Sequence, residues 1–395
     1  MRTPAVLALL LLAAREARPQ DSASPPRWYK GNTHAHTRWD NGDSLPEVVA
    51  GWYRDHGYAF VGLSDHNAEN ALTGKERWVD LRPSDPLEDL ECRFGSGWAV
   101  TRGEEGRRQI RLKTFPELEK NLSEAGRFIL LPAQEIGDAF GGRLVHHNVL
   151  NLERIILPPG GDSVSGVMER ALDRSQAEAD RSGRLLAVHL NHPNLGWAVG
   201  AGELEAVANE RFFEIYNGHP AARNAGDSAH PGTEETWDRV LTARVRSGRA
   251  PLLYGLAADD AHDFTGRGDQ ARPGRGWIFV RARELTGDAL VRAMLAGDFY
   301  SSTGVTLEEV HAGECSLFVK VAPEAGATYT IRFVGAGGVV LQESRGTQST
   351  YFFQGSELYV RAVVVSDRPL PDPARKGEVM TAWVQPIVID WAREK

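Results

Sequence analysis

Histidine and acidic side chains end seven short apolar runs of this chain. Seven of the twelve histidines occupy such positions, together with Glu135 and Asp260. The runs are GNTHAH with His34 and His36, YAFVGLSDHN with His66, RFILLPAQE with Glu135, RLVHHN with His146, LLAVHLNHP with His189 and His192, RFFEIYNG with Glu214 to Asn217, and PLLYGLAADDAH with Asp260 and His262. Imidazole together with carboxylate suits Zn, Mn or Fe rather than Ca. The pattern predicts that these side chains meet at a metal centre.

The elements that must position these side chains are strands that alternate with helices. Helical periodicity and capping signals predict helices over residues 45–56, 163–181, 233–246 and 285–295, each followed by a glycine. Alternating strands and helices predict a parallel sheet. In a parallel β/α barrel the loops after the strands share one face, so ligands that are far apart in sequence converge there.

His34 and His36 are separated by one residue, so at a strand end both point to the same side of the pleat and can hold one cation. A water that bridges two such cations loses a proton near neutral pH and can attack an ester. The chain has no G-x-S-x-G elbow, no phosphate-binding G-x-x-x-x-G-K-[ST] loop, no G-x-G-x-x-G after a strand and no H-E-x-x-H motif. The motifs therefore favour metal-dependent hydrolysis over these other chemistries.

Composition limits the class of partner. The 395 residues are 42% hydrophobic and 25% charged, with a formal net charge of -8 that is spread along the chain. Because Lys and Arg form no cluster, a long nucleic acid is not expected as a partner. A small-molecule ester, phosphorylated in the favoured interpretation, remains compatible. Cys92 and Cys315 are too few for a disulfide framework.

Residues 1–26 have the pattern of a signal peptide and leader. Arg2 precedes an apolar run over residues 5–14, and a polar stretch follows up to Pro26, with cleavage expected within residues 13–20. This pattern predicts a secreted or periplasmic protein. Ten apolar residues cannot span a bilayer, so no transmembrane segment is expected.

Two further segments differ from the strand and helix alternation. Residues 73–124 form a charged insert that contains Gly and Pro and is expected to lie over the barrel mouth as a lid or loop. After Tyr300 the chain consists of short, often alternating β segments without intervening helices. Residues 305–395 are therefore expected to form an appended antiparallel sheet or small β-sandwich-like domain.

The chain resembles the polymerase and histidinol phosphatase (PHP) superfamily of metal-dependent hydrolases, in its carbaryl-hydrolase-like branch. The resemblance spans roughly residues 28–303 and is carried by GNTHAHT, GYAFVGLSDHN, LLPAQEI, VHHNVLNL, HLNHPN, EIYNGHP and ADDAH. It implies a distorted (β/α)7 barrel over residues 27–304, with two or three divalent metal ions.

The resemblance also implies a ligand set. His34, His36, Glu135 and Asp260 would hold one metal, and Glu135 would bridge to a second metal that His146 also binds. A third site would take His66, His262 and either His189 or His192. Relatives usually read Ser-Asp-Gly after the first motif, but here the Asp position is Asn41. Because Asn is a weaker, neutral ligand, either Asp40 takes over or the third site is only partly occupied.

Other residues are candidates for contact with the substrate. With Glu135 and Asp260 assigned to the metals, His147 or His219 is a candidate for protonation of the leaving group. Lys30, Arg267 and Arg275 are candidates for holding a phosphate, and Arg275 is also a candidate catalytic residue. A solvated side chain is the alternative for each. Asn67 and Asn217, which follow the second and sixth runs, complete the candidate substrate-binding set.

These observations favour an exported metal-dependent phosphoesterase. A hydrolase of carbamates, amides or carboxylic esters at the same metals is the nearest alternative, because the same centre serves either electrophile. A different class is a non-catalytic protein whose C-terminal β region binds a carbohydrate or the cell envelope. The filled ligand positions favour catalysis over binding.

Overall fold

The computed structural model describes residues 25–67, 71–104, 106–248, 251–268 and 271–389, so the predicted leader lies almost wholly outside the described residues. The protein is a mixed α/β structure with one thirteen-stranded sheet and two three-stranded sheets. Within the described ranges, no helix combines the length and the apolar character that a membrane crossing requires.

Up to residue 258, the described part of the chain contains ten strands and six helices. They are β1 (Arg27–Asn32), α1 (Pro46–Asp55), β2 (Phe60–Leu63), β3 (Trp78–Asp80), α2 (Leu87–Phe94), β4 (Thr101–Arg102), β5 (Gln109–Arg111), α3 (Phe115–Leu122), β6 (Ile129–Phe140), β7 (Arg143–Leu150), α4 (Val164–Ser182), β8 (Ala187–Leu190), α5 (Ala201–Ala206), β9 (Phe212–Asn217), α6 (Thr233–Ser247) and β10 (Tyr254–Ala258).

The remainder of the chain is mostly β. It contains β11 (Trp277–Ala282), α7 (Gly287–Leu295), β12 (Phe299–Ser302), β13 (Leu307–Ala312), β14 (Ser316–Val321), β15 (Tyr329–Val334), β16 (Val340–Arg345), β17 (Gln348–Phe352), β18 (Tyr359–Pro369) and β19 (Val379–Val388). Three short 3₁₀ helices lie at Ala71–Thr73, Leu195–Trp197 and Ala336–Gly338.

The four helices expected from periodicity are present as α1, α4, α6 and α7, and local capping explains their ends. The Ser163 side chain accepts a hydrogen bond from the Gly166 amide at the start of α4, which satisfies an amide that the helix leaves unpaired. Gly183 and Gly248 end α4 and α6 in the left-handed conformation, with φ of 71° and 60°. Glycine adopts this conformation without steric cost.

Seven strands of the large sheet follow the order β10-β9-β8-β7-β6-β2-β1. β1, β2 and β6 run parallel to one another in one group, and β8, β9 and β10 run parallel to one another in a second. β7 is antiparallel to both β6 and β8. The predicted parallel sheet was therefore wrong at β7, because Gly141 and Gly142 close a tight hairpin where a parallel connection needs a long crossover.

An isolated parallel bridge joins the chain just beyond β1 to the chain just beyond β10. It pairs Ala35 with Ala261, and the His36 amide donates a 2.9 Å hydrogen bond to the Ala261 carbonyl. The carboxyl ends of β1 and β10, the first and last of these seven strands, therefore meet. The distorted (β/α)7 barrel stays a prediction.

The hydrophobic core of these strands lies at the opposite end from the bridge. Tyr29, Phe60 and Phe212, near the starts of their strands, pack in one cluster with Val291 and Met294 of α7. Because the starts of the strands are filled by apolar side chains, buried polar groups collect at the carboxyl ends.

The insert is a small folded unit with its own strands and helices, and its place over the barrel mouth as a lid or loop stays a prediction. Its strands form the sheet β3-β5-β4, and Leu90, Ile110 and Leu118 pack in one apolar cluster with Val49 of α1. It also contacts the loop after β1, where Trp39 Nε1 donates a hydrogen bond to the Lys113 carbonyl. The insert thus braces this loop and α1.

The C-terminal region is antiparallel β, as expected, but it is hydrogen-bonded to the large sheet. β12, β19, β18, β15 and β16 continue that sheet, and β13, β14 and β17 form the second layer. Val319 and Ile331, one from each layer, pack in the same apolar cluster. The boundary at residues 304 and 305 stays a prediction.

Candidate metal centre

The candidate centre lies at the carboxyl ends of β1 and β10. His34 and His36 follow β1, Asp260 follows β10, and the Ala35–Ala261 bridge holds the two segments together. Asp260 has a φ of 52°, which is uncommon for a residue with a side chain. Such strain is often found at functional sites, where the surrounding structure maintains it.

Four ligand-type atoms lie very close together at this point. The Nε2 atoms of His34 and His36 are 3.1 Å apart, and each lies 3.2 Å from Glu135 Oε2. Their distances to Asp260 Oδ1 are 3.2 and 3.3 Å. All four residues are buried.

The other ring nitrogen of each histidine contacts a carboxylate. His34 Nδ1 lies 2.7 Å from Glu214 Oε1, and His36 Nδ1 lies 3.1 Å from Asp40 Oδ2. An ionised carboxylate only accepts, so in the neutral tautomer each Nδ1 donates its proton. Each Nε2 then presents a lone pair to the cluster, in the arrangement that orients metal-binding histidines.

Glu135 connects two groups of histidines through its two oxygens. Oε2 lies 3.2 Å from His66 Nδ1, in addition to its contacts with His34 and His36. Oε1 lies 2.9 Å from His146 Nδ1 and 3.5 Å from His192 Nε2. A carboxylate in this position has the geometry to bridge two cations.

His192 and His189 are placed differently, although the sequence left both open as ligands. His192 joins Glu135 and His146 in one potential metal-binding group. His189 is buried, and among the described residues neither of its ring nitrogens has a hydrogen-bond partner. Its Nδ1 lies 3.9 Å from Glu214 Oε1. The geometry therefore favours His192 as the ligand.

His262 and Asp40 lie at the edge of the cluster. The His262 ring stacks on His36 with centroids 4.0 Å apart, and its Nδ1 donates to the Asp260 carbonyl. Asp40 Oδ2 contacts His36 Nδ1 and accepts a 2.6 Å hydrogen bond from the His66 amide. Asp40 thus orients two histidines. It also belongs to a further potential ligand group with His36 and Asp65.

The electrostatics show a pocket that attracts positive charge. Burial opposes protonation of His34, but the carboxylates of Asp260 and Glu135 raise its pKa well above the usual value. Burial also opposes ionisation of Glu135, yet His66 and His34 hold the pKa of Glu135 well below its usual range. At His189 and His262 burial outweighs the nearby carboxylates and lowers each pKa to about 4.

These distances fit a divalent cation. Ligand atoms about 2.0–2.2 Å from an ion stand about 3.0 Å apart in octahedral geometry and about 3.4 Å apart in tetrahedral geometry. The measured separations of 3.1 to 3.3 Å fall in this range. With both Nδ1 protons directed to carboxylates, the four atoms are all acceptors, which either a divalent cation or added protons would satisfy.

His147 lies outside the pocket, and this argues against its predicted role as an acid. Successive residues of a strand face opposite sides of the sheet, and His146 of β7 faces Glu135. His147 therefore faces away, where its Nε2 lies 2.9 Å from Glu210 Oε2 and both side chains are fully buried. It has no path to a leaving group bound at the cluster.

Arg275 is also unsuited to its predicted phosphate contact and catalytic role, because its donors are already used. Its Nε and Nη2 donate to Asp372 Oδ2 at 3.2 and 3.1 Å, and its Nη1 donates to the Gly218 carbonyl. Asp372 lies on the connection between β18 and β19. Arg275 therefore ties the rim to the C-terminal region.

The two candidate asparagines hold other residues in place. Asn217 Nδ2 donates to Glu214 Oε2 and Asp260 Oδ2, so Asn217 supports the ligands rather than a substrate. Asn67, with a φ of 42°, exchanges hydrogen bonds between its amide and the backbone of Gly137. These contacts argue against a direct substrate contact for either side chain.

Of the remaining candidates, Lys30 lies between two aromatic rings, with Nζ 3.9 Å from the Tyr58 ring centroid and 4.1 Å from that of Trp277. Burial lowers the pKa of Lys30 to about 8. His219 lies near the cluster, with its ring 6.1 Å from that of His262, and burial lowers its pKa. Arg267 is exposed in the loop after β10. His219 is thus the better placed of the two candidate acids.

The sequence interpretation did not assign several residues that organise the centre. Glu214 orients His34, and Asn191 Nδ2 donates to Glu135 Oε1 at 2.8 Å. Asp65 accepts hydrogen bonds from the backbone and hydroxyl of Thr37 in the loop after β1. A charged residue within the apolar run RFFEIYNG was the available signal for Glu214, whereas nothing in the sequence distinguishes Asn191.

Comparison with known proteins yields structural similarities only. No protein-family model and no curated protein match the chain. A two-domain protein from Bacteroides vulgatus ATCC 8482, containing a predicted PHP-like metal-dependent phosphoesterase, is 14% identical, with a TM-score of 0.43 over 94% of this chain and 99% of that one. A candidate metal-dependent phosphoesterase from Bifidobacterium adolescentis ATCC 15703 is 13% identical, with a TM-score of 0.33 over 69% of this chain and 97% of that one. TM-scores below 0.5 assign neither a fold nor an activity to this chain.

Proposed function

We propose that the protein is a metal-dependent hydrolase of ester bonds, most simply a phosphoesterase, built on a PHP-type barrel. The observation that carries the proposal is the convergence of four ligand-type atoms: the Nε2 atoms of His34 and His36 are 3.1 Å apart, and each lies 3.2 to 3.3 Å from an oxygen of Glu135 and from an oxygen of Asp260. Burying two carboxylates is costly unless positive charge from protons or metal ions offsets their lost hydration.

Bound divalent cations would polarise the ester oxygen and lower the pKa of water at the site. The chain's own residues supply the rest. Glu214 and Asp40 orient the imidazoles of His34 and His36, and Asn191 fixes one oxygen of Glu135. His219, at the edge of the cluster, is the remaining candidate for a proton on the leaving group.

One observation supports the alternative of a carbonyl ester or carbamate substrate. A phosphate usually needs cationic side chains beside the metals. The Arg275 guanidinium is held by Asp372, and the Lys30 ammonium lies between Tyr58 and Trp277. Of the predicted phosphate-binding residues, only Arg267 has an exposed side chain.

The proposal is tested by metal analysis and turnover of the full chain. We expect two or three equivalents of Zn, Mn or Fe after reconstitution, and activity that a chelator removes and metal restores. Phenyl phosphate, bis(4-nitrophenyl) phosphate, phenyl acetate and phenyl carbamate distinguish the ester classes. A chain that binds no metal, or that binds metal and cleaves none of these esters, would contradict the proposal and favour the non-catalytic binding protein.

Export forms part of the proposal and is supported by the apolar run after Arg2. Fractionation of cells that express the full chain, followed by determination of the N-terminal residue, tests it. We expect the protein outside the cytoplasm with a new N-terminus within residues 14–21.

A further inference from the structure

The hairpin of β6 and β7 extends beyond the metal-binding residues that it carries. β6 continues five residues past Glu135, and β7 begins three residues before His146. β8 pairs only with the part of β7 from His147 to Leu150. The distal part of the hairpin therefore stands above the cluster as a two-stranded flap, which we define as residues 137–146.

Strand alternation determines which side chains of the flap face the cluster. Gly137 pairs with His146, and Ala139 pairs with Leu144, without a break in register. Glu135 and His146 contact each other, so every second residue from them lies on the same face. That face carries Gly137, Ala139 and Leu144.

The position of Gly137 supports this assignment independently. A side chain at Gly137 would meet His66 Nδ1 at 3.3 Å and Asn67 Nδ2 at 3.4 Å. The face of β6 that carries Gly137 is thus the face that borders the histidine cluster, and the missing side chain leaves room beside His66. On the other face, Ile136 packs with Leu152 and Ala171.

Leu144 is an apolar residue that remains 39% exposed on the face of the flap toward the cluster. Strand geometry puts its Cα about 7 Å from that of His146. Phe140 is 38% exposed but lies on the opposite face, with Ile136. The same hairpin therefore carries two similarly exposed apolar side chains, of which only one borders the candidate site.

The flap is held in place at both sides. Arg143 Nε donates a 2.7 Å hydrogen bond to the Ala198 carbonyl, and its Nη2 donates to Glu203. Asp138 Oδ2 accepts a 2.7 Å hydrogen bond from the Gly160 amide. An anchored flap presents its apolar face at a defined position, which a specificity determinant requires.

We propose that Leu144, with Ala139 beside it, is a specificity-determining residue that contacts a hydrocarbon or aryl group attached to the ester being cleaved. This inference rests on the proposed function and deepens it by naming the substrate class, an ester with an apolar substituent. The cluster binds the polar ester group. The flap, whose Leu144 lies two residues beyond His146 on the same face, excludes water from the apolar substituent of that ester.

The test compares Leu144→Asn, which keeps the size and adds no charge, with Phe140→Asn as the matched control. Each metal-reconstituted full-length variant is assayed with phenyl phosphate and methyl phosphate, or with phenyl and methyl acetate if the wild type prefers carbonyl esters. We expect Leu144→Asn to lower kcat/KM for the phenyl ester about tenfold, mainly through KM, because a lost apolar contact changes discrimination by about 10- to 200-fold.

The methyl ester and the metal content should be unaffected by Leu144→Asn, and Phe140→Asn should change neither substrate by more than about twofold, since it faces away. Equal effects of the two substitutions, or equal losses for phenyl and methyl esters, would overturn the inference while the hydrolase stands. Leu144→Ala repeats the test if the Asn variant loses metal or unfolds. A wild type that cleaves no ester would instead overturn the proposed function and, with it, this inference.

Discussion

The candidate metal-binding cluster and the junction between α6 and β18 both bury charged side chains, but the two regions neutralise this charge differently. At the junction, Arg361 donates to Asp238 at 2.7 and 2.6 Å and to Glu234 at 3.0 Å. At the cluster, Glu135 and Asp260 are surrounded by histidines, and among the described residues no Lys or Arg side chain bonds to either carboxylate.

The difference indicates which buried charges are structural. The junction contains its own cation, so its ion pairs are complete within the folded chain. The cluster has acidic groups and imidazole lone pairs but no fixed cation, so its balance depends on protons or metal from solution. We therefore expect substitutions at the junction to change stability and substitutions at the cluster to change metal binding and activity.

The largest effect is expected for Glu135→Ala. This variant removes the carboxylate that contacts both histidine groups, so we expect loss of at least one metal equivalent and a fall in kcat of at least about 1000-fold, beyond the 10- to 100-fold typical of residues that only orient ligands. Metal analysis and turnover measure both quantities. Glu153→Ala, an exposed acidic residue, is the control, and full metal content with turnover in Glu135→Ala would contradict the bridging role.

At the junction, Arg361→Met should lower the free energy of unfolding by about 3–5 kcal/mol, because it leaves Asp238 buried without its partner. Denaturant unfolding measures this change. Metal content and kcat of the folded fraction should match the wild type. Unchanged stability of Arg361→Met, or a selective loss of metal, would contradict the assignment of the junction to stability and of the cluster to metal binding.

Glu214→Gln should weaken metal binding by about 10- to 100-fold while the protein stays folded, because the carboxylate that orients His34 is lost. Competition with a chelating dye measures the affinity. Asp238→Asn at the junction is the matched control, since it also replaces a buried carboxylate by an amide. Equal metal affinity in the two variants would show that Glu214 does not orient a ligand.

Among the histidines, His192→Ala should lose more metal than His189→Ala, because His192 contacts Glu135 and His189 does not. The difference is expected to be about tenfold in metal affinity. Titration of both variants side by side measures it. A greater loss in His189→Ala would reverse the assignment of the ligand.

The pH dependence of metal binding at the cluster should differ from that of the ion pairs at the junction. The carboxylates raise the pKa of His34 and His36 well above the usual value despite burial, so protons compete with metal at neutral pH. Metal affinity should therefore rise with pH, by up to about tenfold per unit for each proton released. Measurements at pH 6, 7 and 8 test this. The Arg361 pKa is raised despite burial, so the junction keeps its charge across this range.

Part of the site was predictable because metal chemistry limits residue types. His34 and His36 were expected to face the same way from their spacing, and both Nε2 atoms do point to one place. For His146 and His147, by contrast, spacing alone does not show which of the two side chains faces the cluster. β7 places His146 at Glu135 and His147 at Glu210. Which histidine faces which carboxylate depends on the register of β7 with β6 and β8.

Long-range partners explain the other departures. Arg275 and Asp372 are 97 positions apart, so no local pattern shows that this arginine is already paired. The predicted parallel sheet was wrong at β7, because the Gly141–Gly142 turn permits a hairpin that the apolar pattern alone does not distinguish from a crossover. The insert was expected to be a lid or loop, and the sequence did not show that its scattered apolar residues pack against α1.

The sequence by itself determined the residue chemistry and the local elements, namely the helices with their caps and the ligand types after apolar runs. These depend on interactions within a few residues, which spacing and composition record. Tertiary structure alone decided which imidazole nitrogen faces the cluster, which carboxylate orients it and which cations are already paired. Those choices depend on strand register and on contacts between residues as far as 180 positions apart, such as His34 and Glu214, which local spacing does not record.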